Sequence, residues 1–155
     1  MTIPSHARAV IIGGGVIGCS IAYHLGKLGW NDVVLLERKQ LTCGTTWHAA
    51  GLIAQLRATQ NMTRLAKYSQ ELYFDLEKET GVATGFKRNG SITVALTDER
   101  MEELRRSAAM ARAFGVEVDE ILPDDITKRY PGLSLDNVVG GVWLPKDGQA
   151  DPVNI

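Results

Sequence analysis

The chain has little cysteine, no long apolar run and no excess of charge of either sign. Cys19 and Cys43 are its two cysteines, far apart and in no C-x-x-C pair, which is the usage of a reduced intracellular chain with two incidental thiols. Met1 to Arg8 contains no apolar h-region. The first apolar run, Ala9 to Ile12, is too short for a signal peptide or a membrane span. Lys and Arg number 17 against 18 acids, and no run of like charge stands out, which argues against nucleic acid or an anionic membrane as the main partner. These absences predict a soluble, cytoplasmic protein. A mitochondrial-matrix protein of eukaryotic origin, freed of its targeting segment, would read the same way.

What is present is a globular composition, 45% hydrophobic and 23% charged, over 155 residues. A chain of that length makes one domain of ordinary size and buries roughly 70% of the surface its unfolded form exposes.

Ala7 to Ile12 reads as a fully buried strand, short, β-branched and ended by glycines. Val16 to Leu28 reads as a helix closed by Gly29, and Val33 to Leu36 as a second buried strand with Glu37 at its end. Together they form a β-α-β unit. Leu41 to Gln60 has no clear period and reads as a long loop, of the kind that tends to be functional. Asn61 to Thr80 reads as an amphipathic helix, with Leu65, Tyr68, Leu72 and Leu76 on the packed face and Arg64, Lys67, Glu71, Asp75 and Lys78 on the solvated one. Phe86 to Leu96 reads as a hairpin turning at Asn89-Gly90 in a type I′ turn. Thr97 reads as the N-cap of a helix whose stripe is Met101, Leu104, Ala108 and Ala111. Val116 to Val118 is expected as a strand, Pro123 to Asp125 as the start of a brief helical turn, and Gly140 to Leu144 as a further strand.

The fold class expected is therefore α/β: a Rossmann-like β-α-β unit followed by an α+β excursion. A two-stranded parallel sheet with one crossover needs more strands and cover on both faces. The later segments do not read as further β-α-β units, so the chain is expected to be an N-terminal piece of a longer protein.

Gly13-Gly14-Gly15-Val16-Ile17-Gly18 is weak as a bare pattern. It gains weight because it follows a buried strand and opens a helix, with an acid about 20 residues beyond the last glycine. Gly13 permits the tight turn, Gly15 lets a pyrophosphate approach the backbone, and Gly18 lets the helix lie close to the sheet. The N–H groups near Val16 and Ile17 and the helix dipole face the phosphates. Glu37 accepts hydrogen bonds from ribose hydroxyls and repels a 2′-phosphate, which disfavours NADP. The fingerprint by itself serves FAD and NAD alike.

Gly44-Thr45-Thr46-Trp47-His48-Ala49-Ala50-Gly51-Leu52 follows. Its small and hydroxyl residues allow the backbone to lie close to a flat ligand. Thr45 or Thr46 is placed to cap a short helical turn, and His48 offers a ring nitrogen as ligand, base or nucleophile. Arg57 reads either as an exposed loop arginine or as a ligand for a substrate carboxylate. His6 and His24 have no motif around them and read as structural.

At these residues the sequence resembles the dimethylglycine dehydrogenase and sarcosine dehydrogenase group of the D-amino-acid-oxidase-like flavoproteins. The matching stretches are Val10 to Gly18, Val34 to Arg38, Gly44 to Leu52, Leu56-Arg57 with the helix up to Gly81, and Pro145 to Pro152. The Trp47 to Gly51 stretch is the specific part. The resemblance implies FAD as cofactor, lined by Val16, Ile17, Glu37, Arg38, Gly44, Thr45, Thr46, His48, Ala49, Ala50, Gly51 and Leu52. In several members the histidine of the Trp-His pair binds the flavin covalently, and His48 matches it. The resemblance also implies oxidation of an N-methylated amine or amino acid by hydride transfer to flavin, with a carrier flavoprotein or oxygen as electron acceptor. It implies a discontinuous FAD-binding domain, with residues 1–84 its first segment, 85–147 the first segment of a substrate domain, and 148–155 the return. The same resemblance extends to a non-catalytic relative, the regulatory subunit of pyruvate dehydrogenase phosphatase, so a flavoprotein without activity is the alternative. An NAD-dependent dehydrogenase is disfavoured by Gly44 to Leu52.

Overall fold

The computed structural model describes residues 4–155, and their contacts divide into two compact units. One runs to Gly51 and includes Asp151–Ile155, and the other is Leu52–Ala150.

The first unit is the β-α-β element. Strand β1 (Ala9–Ile12) pairs in parallel with β2 (Val33–Leu36), Ala9 opposite Val33 and Ile12 opposite Leu36. Helix α1 (Val16–Lys27) connects them. Its end is set by backbone alone: Gly29, at φ +80°, donates to Gly26 O, and Trp30 N–H reaches back to Leu25 O. That is the paired closure of a Schellman motif, and it turns the chain into β2. The two strands are less buried than their apolar sequence predicts. Ile11 is buried, but Val10 is 55% and Ile12 87% exposed. Each strand has a single partner among the described residues, and α1 covers part of one face, which leaves alternate side chains open.

The second unit is antiparallel. After a short 3-10 turn at Thr46–His48 in the first unit, β3 (Leu52–Ile53) opens the second and pairs with β7 (Gly148–Gln149). Helix α2 (Gln60–Thr80) follows. Strands β4 (Ser91–Ala95), β6 (Gly140–Leu144) and β5 (Asp119–Ile121) form one sheet with β6 in the centre. Helix α3 (Asp98–Ala113) begins where Thr97 Oγ1 accepts the Arg100 N–H, as its sequence predicts. Its stripe of Met101, Leu104, Ala108 and Ala111 packs with Ala95, Val116, Val118, Val142 and Leu144 to make the core. Helix α4 (Pro123–Arg129) has proline in its first turn and ends before Pro131.

Three expectations are corrected. There is no hairpin at Asn89-Gly90. Gly90 alone has positive φ, where a type I′ turn needs two such residues, and its N–H goes to Asp147 O. Lys87 bridges to Gln149 and β4 pairs with β6, so the chain crosses from one distant strand to another. A Cβ at Gly90 would collide with the Trp143 ring, so the position is held by packing across the sheet. The strand expected at Val116 to Val118 forms at Asp119–Ile121, because both valines are spent on the core beneath α3. The third concerns α2: its fully buried residues are Thr63 and Gln70, whereas Leu65 is 66% and Tyr68 48% exposed.

That polar seat has its partners. Gln55 Nε2 donates to Gln70 Oε1 at 2.6 Å, and Gln70 Nε2 donates to Lys146 O. Asp147, itself buried, accepts the Gln55 N–H at 2.9 Å and the Ser91 hydroxyl at 2.7 Å. Thr63 exchanges hydrogen bonds with both backbone groups of Arg57. Buried amides and hydroxyls are costly unless paired, and here they are paired.

Candidate functional site

The glycine turn joins β1 to α1 and is tied to β2 at its start, where Gly13 N–H donates to Leu36 O at 2.8 Å. Gly13 sits at φ +106°, which L side chains rarely adopt. Gly15 is the N-cap of α1 and offers no side chain, so the first turn of the helix has no intrinsic cap. Gly18 lies against the turn so closely that a Cβ there would collide with Gly13 O. These are the jobs the spacing assigns to the three glycines.

The unforeseen glycine is Gly14. Its N–H donates to Glu37 Oε2 at 2.8 Å, its carbonyl accepts the Thr42 N–H at 2.8 Å, and a Cβ would strike the Leu41 side chain and come within 3.1 Å of Glu37 Cβ. Thr42 is buried and takes φ +64° to make that contact. Nothing in the pattern Thr42-Cys43-Gly44-Thr45-Thr46 marks Thr42 apart from its neighbours. Its placement follows only from the return of the loop onto the turn.

Glu37 is engaged twice. Besides Gly14, its Oε1 accepts the Lys39 N–H at 3.0 Å. The Gly14 N–H above all, then the Lys39 N–H, hold its carboxyl below the ordinary 4.5. Arg38 lowers it further through its N–H and its charge, while burial opposes. The acid therefore carries full negative charge at neutral pH, beside the turn, with lone pairs left for further donors.

The Gly44 to Gly51 segment meets the turn at one point. Thr46 Oγ1 accepts the Val16 N–H at 3.0 Å and stands 3.0 Å from where a Gly15 Cβ would be. The 3-10 turn at Thr46–His48 thus lacks the side-chain cap expected from Thr45 or Thr46, because the Thr46 hydroxyl is used on α1 instead. Trp47 and His48 stack with ring centroids 4.1 Å apart, and both are exposed. Gly44, Thr45, Ala49 and Ala50 are exposed beside them, Gly51 is buried at φ +73°, and Leu52 begins β3 in the second unit. The structure thus brings together Gly13, Gly15, Val16, Ile17 and Gly18 with Glu37, Arg38 and Thr46.

The donor set suits an anionic dinucleotide. A helix N-terminus without a side-chain cap, a glycine with no room for Cβ and a free amide-and-hydroxyl pair form a cradle for phosphate, and a charged carboxylate stands at the end of the neighbouring strand for ribose hydroxyls. The sequence profile of the FAD dependent oxidoreductase family, DAO, matches residues 8–155. The chain belongs to this family. It is 41% identical over 151 residues to mouse mitochondrial sarcosine dehydrogenase, covering 97% of this chain and 16% of that one. It is 42% identical over 149 residues to rat mitochondrial dimethylglycine dehydrogenase, covering 96% and 17%. It is 37% identical over 155 residues to the mouse mitochondrial pyruvate dehydrogenase phosphatase regulatory subunit, covering 100% and 18%. Among solved structures, L-proline dehydrogenase from P. horikoshii superposes with a TM-score of 0.89 at 31% identity, over 97% of this chain and 39% of that one. The chain spans between 16% and 18% of the length of these curated relatives. Among the described residues no helix is long and apolar enough to cross a membrane, and no cluster of side chains is suited to hold a metal.

Proposed function

We propose that the full-length protein oxidises an N-methylated amine or amino acid, sarcosine- or dimethylglycine-like, with this chain holding the FAD that takes the hydride. The observation that carries the reading is the hydrogen bond from Val16 N–H to Thr46 Oγ1, which ties the Trp47-His48 segment to a nucleotide-binding turn. The likeness to sarcosine and dimethylglycine dehydrogenases supports the substrate class.

In this reading the turn and α1 hold the pyrophosphate, Glu37 the adenosine ribose, and Arg38, Gly44, Thr45, Thr46, His48, Ala49, Ala50, Gly51 and Leu52 line the cofactor. Exposed His48, stacked on Trp47, is the residue for a covalent bond to the flavin. FAD when bound supplies the electron chemistry. This chain's residues bind it, orient it and set the charge around it. Residues 1–84 belong to the FAD-binding domain and 85–147 to the substrate domain, with 148–155 returning to the first. A carrier flavoprotein or oxygen takes the electrons. The protein works in the cytoplasm, or in the mitochondrial matrix if its source is eukaryotic.

The test is an anaerobic titration of full-length protein with sarcosine and dimethylglycine, followed by flavin absorbance. Bleaching by either supports the proposal. Bound flavin that neither amine nor other N-methylated amino acids bleach would overturn it in favour of a non-catalytic flavoprotein, a reading that the 37% identity to a regulatory subunit supports.

A further inference from the structure

On the second unit, β3 and the outer face of α2 enclose an open groove of about 300 Å³. Its walls at one end are Leu52, Met62 and Leu65, which are 75%, 55% and 66% exposed. Scattered exposed apolar residues are ordinary, but these converge on one concavity, as the walls of a small-molecule site do.

The same end carries one charge. Arg57 lines the groove, and no aspartate or glutamate does. Among the described residues the Arg57 guanidinium has no ion-pair partner. One of its N–H groups donates to the neighbouring Leu56 O at 2.9 Å, which leaves the rest of the fork open. Its backbone, by contrast, is fixed. Thr63, fully buried on α2, accepts the Arg57 N–H at 3.1 Å and donates to Arg57 O at 3.2 Å. A clamped backbone under an unpaired fork lowers the ordering cost of binding a planar anion.

Given the amine-oxidising function proposed above, on which this step rests, we infer that Arg57 binds the carboxylate of the amino-acid substrate and that Met62, Leu65 and Leu52 receive its N-methyl and methylene groups. A guanidinium takes a carboxylate through two parallel N–H···O bonds, and the apolar walls exclude water from them. The groove thereby selects amino acids over simple amines.

The experiment uses the full-length holoenzyme with Arg57→Ala, and Arg57→Lys for the event that the first variant does not accumulate. Flavin content should stay that of the wild type. KM for the N-methylated amino acid should rise about 100-fold in Arg57→Ala, the size expected for a charge-assisted bond. It should rise less in Arg57→Lys, and added guanidinium should restore part of the loss in Arg57→Ala. Oxidation of a methylated amine without a carboxylate, which the wild type handles poorly, should not change. Wild-type enzyme that is active, with KM unaltered by either substitution, overturns the Arg57 site alone. Wild-type protein that holds flavin but oxidises no N-methylated amino acid overturns the functional reading and the site with it.

Discussion

Thr46 Oγ1 accepts the Val16 N–H at 3.0 Å, so a hydroxyl from the Trp47-His48 loop sits on the first open amide of α1. An arriving phosphate takes that amide as its own donor, and the Thr46 O–H turns to donate to the same oxygen. Thr46→Val keeps the shape and removes the second donor. FAD affinity of the full-length apoprotein should fall by about tenfold or more, the worth of one hydrogen bond to a charged group. Fluorescence titration reads this directly, and unchanged affinity would remove Thr46 from the phosphate site.

Glu37 gives the turn an acid limit. Its pKa in the folded chain is depressed, chiefly by the Gly14 N–H. Its stabilising contribution is therefore complete above the unfolded value, near the ordinary 4.5, and is lost as pH falls through the folded value. FAD release from wild type should accordingly grow below pH 4.5, whereas Glu37→Gln should bind FAD more weakly at neutral pH and show less of this acid-dependent release. Identical pH profiles for the two proteins would show that Glu37 is not what holds the turn.

The glycines separate folding from binding. Gly18→Ala places a methyl against Gly13 O, a backbone atom that cannot move aside, so the β-α-β unit should fail to form and soluble yield should collapse. Gly15→Val meets only the Thr46 side chain, 3.0 Å from its Cβ, and the path of the pyrophosphate. That variant should fold, by circular dichroism and a cooperative melt, yet retain no FAD. Wild-type FAD retention by Gly15→Val would sink the assignment of the turn.

How much of this was readable beforehand differs between the two units. Val33 to Leu36, the helix from Val16 and the roles of Gly13, Gly15 and Gly18 were legible because the β-α-β turn is local: period, punctuation and spacing all lie within one short segment. The roles of Gly14 and Thr42 were not, since they arise only when the loop after β2 folds back on the turn. The hairpin expected at Asn89-Gly90 failed for a related reason. Its strands find partners in β6 and in Gln149, remote in sequence, and a long-range pairing overrode a good local turn signal. On α2 the apolar period was real, but it marks the groove face, while Thr63 and Gln70 take the inside.

Asp147 tests that interior. Its carboxylate serves the Gln55 N–H and the Ser91 hydroxyl, and it is 3% exposed. Asp147→Ala strands both donors and should cost about 3 kcal/mol. Asp147→Asn keeps an acceptor for one of them and should cost less. Urea unfolding of full-length protein measures both, and a loss under 0.5 kcal/mol for Asp147→Ala, within the ordinary surface range, would show that water replaces the carboxylate.

His48 makes the most direct chemical prediction. If its ring bonds to the flavin, acid-denatured full-length protein should keep yellow fluorescence on the polypeptide, in a peptide containing His48. His48→Ala should release all flavin into the acid supernatant and turn over more slowly. Complete release from wild type would reduce His48 to a stacking partner of Trp47.

The hydrogen-bonded underside of α2 fixes more than its depth. Apolar contact is tolerant of angle: a helix resting on grease can roll through tens of degrees and still exclude water. Gln70 and Thr63 allow no such roll, because their partners, Gln55, the Lys146 carbonyl and the Arg57 backbone, stand at fixed bearings. A shift of one residue in register turns the helix by about 100° and would carry every one of these groups out of reach. Thus α2 has one azimuth, and the opposite face, with Met62 and Leu65 beside Arg57, presents the same profile each time the chain folds.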